Sequence, residues 1–442
     1  MRRSIKTFLT FSTIICLVLL GWYVYQYSLK IEKAEWWVNN THNIDTTSND
    51  DDLKFLDSIL KGKKYVFLGE NSHGVAEYNT AKGRLIKYLH ENQDYEVVAF
   101  ESNLADPAVT FAELDTSHIS SKTYMQWTIP GVWNATQNLP LFDYILENRR
   151  KEKALVNTGF DIQPFGRTFT NFTTDWITKR SPSTGNSFSK LEKEWLTKYL
   201  SFLDGGKLSD KEVTKFKDGY NEIISFLTQH ETGLKVEFPN QPKLNLFILQ
   251  TLQNRMELMI RVSKTNYTID EINGVRDSLM AENIKWLSEK IYPDKKIIFW
   301  AHNAHIRNHN TDITYRDEGE TEFRPFLHKT MFEYLPDDFK KQSYILGFYM
   351  YDGEFSYYES NIKKVNDGKD YQADSLEQIL IQSNYEQTFI NLNGQTKNKF
   401  NKWMFEPVYA LTQGLYPEKM VVSNHYDGLF FIKHVKPSTY IR

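Results

Sequence analysis

Tyr65-Val66-Phe67-Leu68-Gly69-Glu70-Asn71-Ser72-His73-Gly74 is an apolar run that stops at a glycine and turns abruptly polar. Four bulky apolar residues bounded by turn-forming ones read as a buried strand rather than a helix. The polar residues therefore sit at the strand's carboxyl end. A second such junction lies more than 200 residues on, where Ile297-Ile298-Phe299-Trp300-Ala301 runs into His302-Asn303-Ala304-His305. In an open α/β sheet the ligand crevice lies beyond the carboxyl ends of the strands. Two strand ends bearing Glu70, His73, His302 and His305 thus predict one shared site.

Further strands are expected at Glu96–Phe100, ending at Glu101, and at Leu155–Phe160, ending at Asp161. Later ones are expected at Ser343–Met350, Glu354–Tyr358 and Gly428–His434. Val75, Tyr78, Leu85, Ile86 and Leu89 recur at helical spacing, so a helix is predicted to follow the first junction and end near His90. Strands alternating with helices indicate an α/β fold with a mostly parallel central sheet flanked by helices. Residues 168–290 differ, with long amphipathic patterns at Leu191–Leu203, Val213–Leu227, Leu244–Val262 and Ile272–Ile291. They read as a large helical insertion, or cap, within a domain spanning 53–442.

The N-terminus has its own character. Arg2, Arg3 and Lys6 precede an uncharged stretch from Thr7 to Leu29 that is long enough to cross a bilayer. Its far end, Gly21-Trp22-Tyr23-Val24-Tyr25-Gln26-Tyr27, resembles an interfacial aromatic belt rather than a cleavage site. Residues 1–30 are therefore expected to be an uncleaved transmembrane anchor. Flanking basic residues favour a cytoplasmic N-terminus, which makes the chain a single-pass membrane protein with its domain outside the cytoplasm. Residues 31–52 read as a polar stalk, with Asp52 as a candidate cap for a helix begun at Leu53.

Composition excludes several classes. Charged residues make up 25% and the net charge is −3, with no basic run, so nucleic acid is not an expected partner. The one cysteine, Cys16, lies in the apolar segment, which removes disulfide scaffolds, thiol nucleophiles and thiolate metal sites from the soluble part. There is no Gly-x-Ser-x-Gly elbow, Walker loop or dinucleotide glycine fingerprint. Ser72 lacks the glycine two residues earlier that an elbow requires.

Glu70, His73, His302 and His305 admit three readings from residue type alone. They supply acid–base catalysis with a donor for an oxyanion, or they ligate a metal through imidazoles. In the third, Glu70 caps the next helix and the histidines are satisfied buried polar groups. Arg276 and Asp277 read as a surface or interhelical pair, and Trp127 and Trp133 as core.

Taken in order, Leu68–Gly74 with Glu77, then Glu101 after Val97–Phe100, Gly159-Phe160-Asp161, Arg276–Asn283 and Trp300–His305 resemble the motifs of the erythromycin esterase family. The resemblance covers roughly residues 50–435 and leaves the anchor outside. It implies hydrolysis of the macrolactone ester of macrolide antibiotics in a cleft beneath helices, with no required metal or other cofactor. By the same resemblance His73 is the general base that activates water, Glu70 and Glu101 orient and polarise it, and His302 and His305 contact the oxyanion or leaving hydroxyl. Glu77, Lys82, Arg84 and Asp161 are carried over as substrate-binding candidates. The chain departs from the pattern at Lys82, where the family has arginine; an arginine follows two residues later as Arg84. The expected partner is a small ester or lactone. The alternatives are a metal-dependent hydrolase or peptidase, and an envelope- or exopolysaccharide-associated protein without macrolide activity.

Overall fold

The computed structural model describes residues 2–45, 49–114, 119–164, 168–357, 361–366 and 374–441. Among these, a nine-stranded sheet is built from β1 (Thr41–Asn43), β2 (Tyr65–Leu68), β3 (Tyr95–Asn103), β4 (Val156–Asp161), β5 (Lys296–Trp300), β6 (Ser343–Ser356), β7 (Ile362–Lys364), β8 (Gln387–Asn391) and β9 (Gly428–Val435). The order across it is β1-β8-β9-β6-β2-β5-β3-β4, with β7 pairing off the path onto β6. β2 lies between β5 and β6 and runs parallel to both. β3 is parallel to β5 and β4, and β9 to β6, whereas β8 and β1 continue the edge antiparallel.

Alternation along these strands feeds two cores. Phe67, Ile297 and Phe299 point to one face, and Val66, Leu68, Ile298 and Trp300 to the other, all essentially inaccessible to solvent. Strands apolar on both faces are what a doubly covered sheet requires. α1 (Arg2–Asn40) precedes the sheet, and α2 (Ala76–Gln93) leaves β2 and covers one face. Between β4 and β5 the chain forms α3 (Thr168–Thr178), α4 (Pro182–Leu203), α5 (Asp210–Gln229), α6 (Glu231–Glu237), α7 (Leu244–Val262) and α8 (Ile269–Trp286). Their buried faces join the core that contains Phe67 and Phe299.

Several details differ from the expected ones. The stalk is structured: α1 continues to Asn40, Trp37 is buried and stacks on Trp403 at 6.4 Å, and Thr41 enters β1 at once. The polar run 39–43 looked like a loop, but an edge strand needs only its backbone groups to pair. Residues 46–48 of that stalk, Met1 and Tyr358 lie outside the described residues. Asp52 does not cap a helix; it sits inside the turn Asp51–Leu53 and receives Arg84. The two strands expected at 343–350 and 354–358 are one, β6, which passes through Gly353 at φ +118. A second, antiparallel sheet of Val408–Thr412, Tyr416–Met420, Thr314–Tyr315 and Arg324–Pro325 gave no strand signal in the sequence. α1 includes a stretch from Ile14 to Asn40 that is long and apolar enough to cross a membrane.

Candidate active site

Parallel register places the two histidine segments side by side. Leu68 pairs with Trp300, Leu68 O accepts the Ala301 N–H at 3.2 Å, and Glu70 O accepts the Asn303 N–H at 2.8 Å. At Gly69 an added Cβ would lie 2.0 Å from Asn303 Oδ1, so the Asn303 side chain would have to shift. Gly74 has φ +72, and a Cβ would meet the Ser356 carbonyl oxygen at 1.6 Å. Both glycines let the loop carrying Glu70 and His73 fold down onto its neighbours.

The first half of the site is a buried chain of charge. His73 Nδ1 bonds Glu70 Oε1 at 2.6 Å, and the same oxygen accepts the Trp133 indole N–H at 2.7 Å. Glu70 Oε2 accepts Lys82 Nζ at 2.5 Å, and that ammonium lies 4.5 Å from the centre of the Trp300 ring. Burial alone would raise the Glu70 carboxyl, but Lys82 and His73 outweigh it and hold it down to about 2. Burial lowers the Lys82 ammonium to about 8 against the pull of Glu70. Glu70 is thus an ionised acceptor, and it fixes the His73 proton on Nδ1. The other nitrogen, Nε2, has no hydrogen-bond partner among the described residues, and His73 lines the cleft.

The second half is built on β5 and α8. His302 Nδ1 accepts the Ala304 N–H at 3.1 Å, which places the proton of the neutral ring on Nε2. Burial, with His73 next, pushes its pKa down to about 3, so the ring stays neutral. Its centroid is 5.2 Å from that of His73. His305 Nδ1 bonds Asp277 at 2.9 Å, and its Nε2 lies 3.3 Å from Glu101 Oε1 and 3.2 Å from Arg276 Nη1. Burial opposes its charge, but the Asp277 and Glu101 carboxylates raise its pKa above the ordinary value. Glu101 accepts Arg276 Nη2 at 2.6 Å and the His302 backbone N–H at 2.9 Å. Burial would raise the Glu101 carboxyl, but His305 and Arg276 carry it well below the usual range.

These groups border a cleft of about 720 Å³, which His73, Glu101, His302 and His305 all line together with Trp133, Gln163, Arg276 and Tyr357. The four residues named as substrate-binding candidates do not line it. Lys82 is fully buried behind Glu70. Asp161 is buried and takes Arg276 on both carboxylate oxygens. Arg84 bonds Asp50 and Asp52 on the outer side of α2, and Glu77 accepts the Lys436 N–H. The latter two hold chain segments together rather than a substrate.

Arg276 and Asp277 do not pair with each other; each reaches back into the site from α8. A signal was present. Asp277, Met280, Ile284 and Leu287 form one buried stripe, and a carboxylate on an apolar stripe needs a partner. Trp133 packs in the core as expected but also donates to Glu70. Among the described residues no three His, Cys, Asp or Glu side chains are grouped to hold a metal ion. The Nδ1 atoms of His73, His302 and His305 are already committed to Glu70, Ala304 N–H and Asp277.

The fold and cleft describe an α/β protein whose acid–base groups gather beyond the carboxyl ends of the sheet's central strands. The family model for erythromycin esterase matches residues 90–435, and the chain belongs to the erythromycin esterase family, a family of hydrolases. A curated relative from Bacillus subtilis (strain 168), named "Putative hydrolase YbfO", is 31% identical over 414 residues, covering 90% of this chain and 89% of that one. A solved succinoglycan biosynthesis protein superposes with a TM-score of 0.70 at 18% identity, covering 94% of this chain and 99% of its own. A mutant of the erythromycin esterase EreC in its open conformation gives 0.61 at 17% identity, covering 91% and 99%.

Proposed function

We propose that the protein hydrolyses an ester or lactone by water activated at His73, outside the cytoplasm and tethered by α1. The observation that carries this reading is the His73–Glu70 bond, which leaves one imidazole nitrogen as a base in the cleft. Water bound there loses its proton to Nε2 as its oxygen attacks the carbonyl carbon. The Nε2–H of His302, with the N–H groups of Arg276 and His305 on the cleft wall, favours the negative charge that develops on the carbonyl oxygen. When the tetrahedral species collapses, the carbon–oxygen bond to the leaving alcohol breaks and the proton held by His73 passes to that alcohol. The products are a carboxylic acid, which releases its proton to solvent to become a carboxylate, and a hydroxyl compound. The apolar span of α1, with Arg2, Arg3 and Lys6 ahead of it, supports membrane attachment with the domain outside. That location favours a substrate of the cell envelope over an intracellular antibiotic.

The test is mass spectrometry of macrolides and generic esters incubated with the domain lacking residues 1–30. A mass gain of one water on a substrate is expected. His73→Ala should lower turnover by about 10²–10⁴-fold. His90, held by Tyr144 and the Lys153 carbonyl away from the cleft, should tolerate alanine with turnover per folded molecule intact. Equal activity in the two variants overturns the assignment of His73.

A further inference from the structure

The groove where α1 meets the domain has the chemistry of a lipid headgroup site. It encloses about 670 Å³ between the helix and the segment 399–403. On the helix its wall is Tyr25, Gln26, Leu29, Lys30, Lys33 and Trp37; Tyr25, Leu29, Lys33 and Trp37 recur every four residues along one face, with Gln26 and Lys30 beside them. This wall crosses the end of the uncharged stretch, because Leu29 is its last residue and Lys30 the first charge. From Tyr25 to Trp37 the helix rises about 18 Å, so the groove starts inside the apolar span and ends beyond it. The domain contributes Phe400 and Trp403 as apolar surface and Lys402 as charge.

The charge there is unbalanced. Lys399 pairs with Glu32. Lys30, Lys33 and Lys402 have no ion-pair or hydrogen-bond partner among the described residues; Lys402 lies near enough to help lower the Glu406 carboxyl, which pairs with Lys397, and Asp374 is the one described carboxylate on the groove wall. Three unpaired ammonium groups above an aromatic and aliphatic floor, at the depth where a spanning helix leaves the hydrocarbon, match one kind of occupant. We propose that this groove holds the headgroup and upper chains of an anionic phospholipid of the membrane that α1 enters. The phosphate meets Lys30, Lys33 and Lys402, and the chains lie along Tyr25, Leu29 and Phe400. The proposal rests on α1 spanning the membrane. It adds a lipid that fixes the domain's orientation against the bilayer surface.

The experiment uses the full chain in phosphatidylcholine vesicles containing about one-quarter phosphatidylglycerol. Retained lipid is identified by native mass spectrometry, and insertion is read separately by resistance to alkaline extraction. Phosphatidylglycerol should be retained in preference to phosphatidylcholine. The variant Lys30→Gln/Lys33→Gln/Lys402→Gln should insert equally well but lose that preference by about tenfold to a hundredfold. Lys211→Gln/Lys217→Gln, exposed on α5 and off the groove wall, should keep it. Insertion without a headgroup preference, or an equal preference in the triple variant, overturns the lipid site and leaves the anchor standing. Complete extraction by alkali overturns both.

Discussion

At the residue scale, the site works by deciding where protons cannot go. Glu70, pinned between Lys82, Trp133 and His73, stays ionised, and His302, buried and capped by a backbone N–H, stays neutral. Both settings have a cost in acid. In the unfolded chain imidazoles take up protons near pH 6.5, whereas folded His302 resists until about 3 and folded His425 until about 4. The unfolded state therefore binds more protons across this window, and stability, complete above it, falls as pH drops through it. Glu70 acts in the same direction lower down, because its stabilisation is complete above 4.5 and disappears as pH falls towards 2. His305 has the opposite sign, since its raised folded pKa gives stability that is present below pH 6.5 and lost on the alkaline side. Chemical denaturation between pH 7 and pH 4 should show this slope, and His302→Asn should flatten it by an amount on the order of a few kcal/mol. Asparagine still caps the short helix Asn303–Ile306, so the change isolates the titration. An unchanged slope would mean that His302 is not held neutral. Glu70, His73, His302 and His305 were legible in the sequence because polar residues at two apolar strand ends are conspicuous. Lys82 was legible as an oddity, but its place behind Glu70 was not, since a lysine at a buried helical position looks like any surface lysine.

At the scale of elements, the strand-to-helix turn after β2 is the part that cannot drift. It is held by the Asn303 N–H on Glu70 O, by Asn71 between Tyr78 and the Leu411 carbonyl, and by the left-handed backbone of Gly74. Gly74→Ala combines a φ of +72 with a direct clash on the Ser356 backbone. It should abolish turnover and lower stability by more than the ~1–2 kcal/mol of a left-handed alanine. Gly62→Ala is the matched control, with φ +78 and nothing within 4 Å of the added carbon. It should cost about that penalty alone and leave turnover intact, both read by thermal melting and steady-state rates. β2 to β6, β9 and the long helices of the insertion are readable from period and run length, whereas β1, β7 and β8 are not. The small antiparallel sheet was not, because two of its strands have only two residues each and Pro417 and Pro325 lie within it. The partners of Arg276 and Asp277 are hidden from the sequence for a different reason. Adjacent opposite charges on a helix suggest each other as partners, and their true partners are 28 to 175 residues away.

At the scale of the whole molecule, α1 is joined to the sheet without slack, because Asn40 is followed directly by β1 and Trp37 is already packed on Trp403. Deleting residues 1–30 should leave the melting temperature of the domain nearly unchanged. Deleting 1–43, which removes both the Trp37 contact and β1, should destabilise it by about 3–5 kcal/mol. Equal melting of the two truncations would show that the junction carries no packing energy. The site itself has a consequence in time. Glu101 and Asp161 leave the ribosome long before α8, yet their guanidinium partner is Arg276, and His302 and His305 come later still. Bonds across such long stretches of chain form late, because the loops between them must be closed first. A nascent or half-folded chain thus holds His73 and Glu70 without the groups of β5 and α8 beside them. On the proposed mechanism, hydrolysis waits until these long-range bonds have closed.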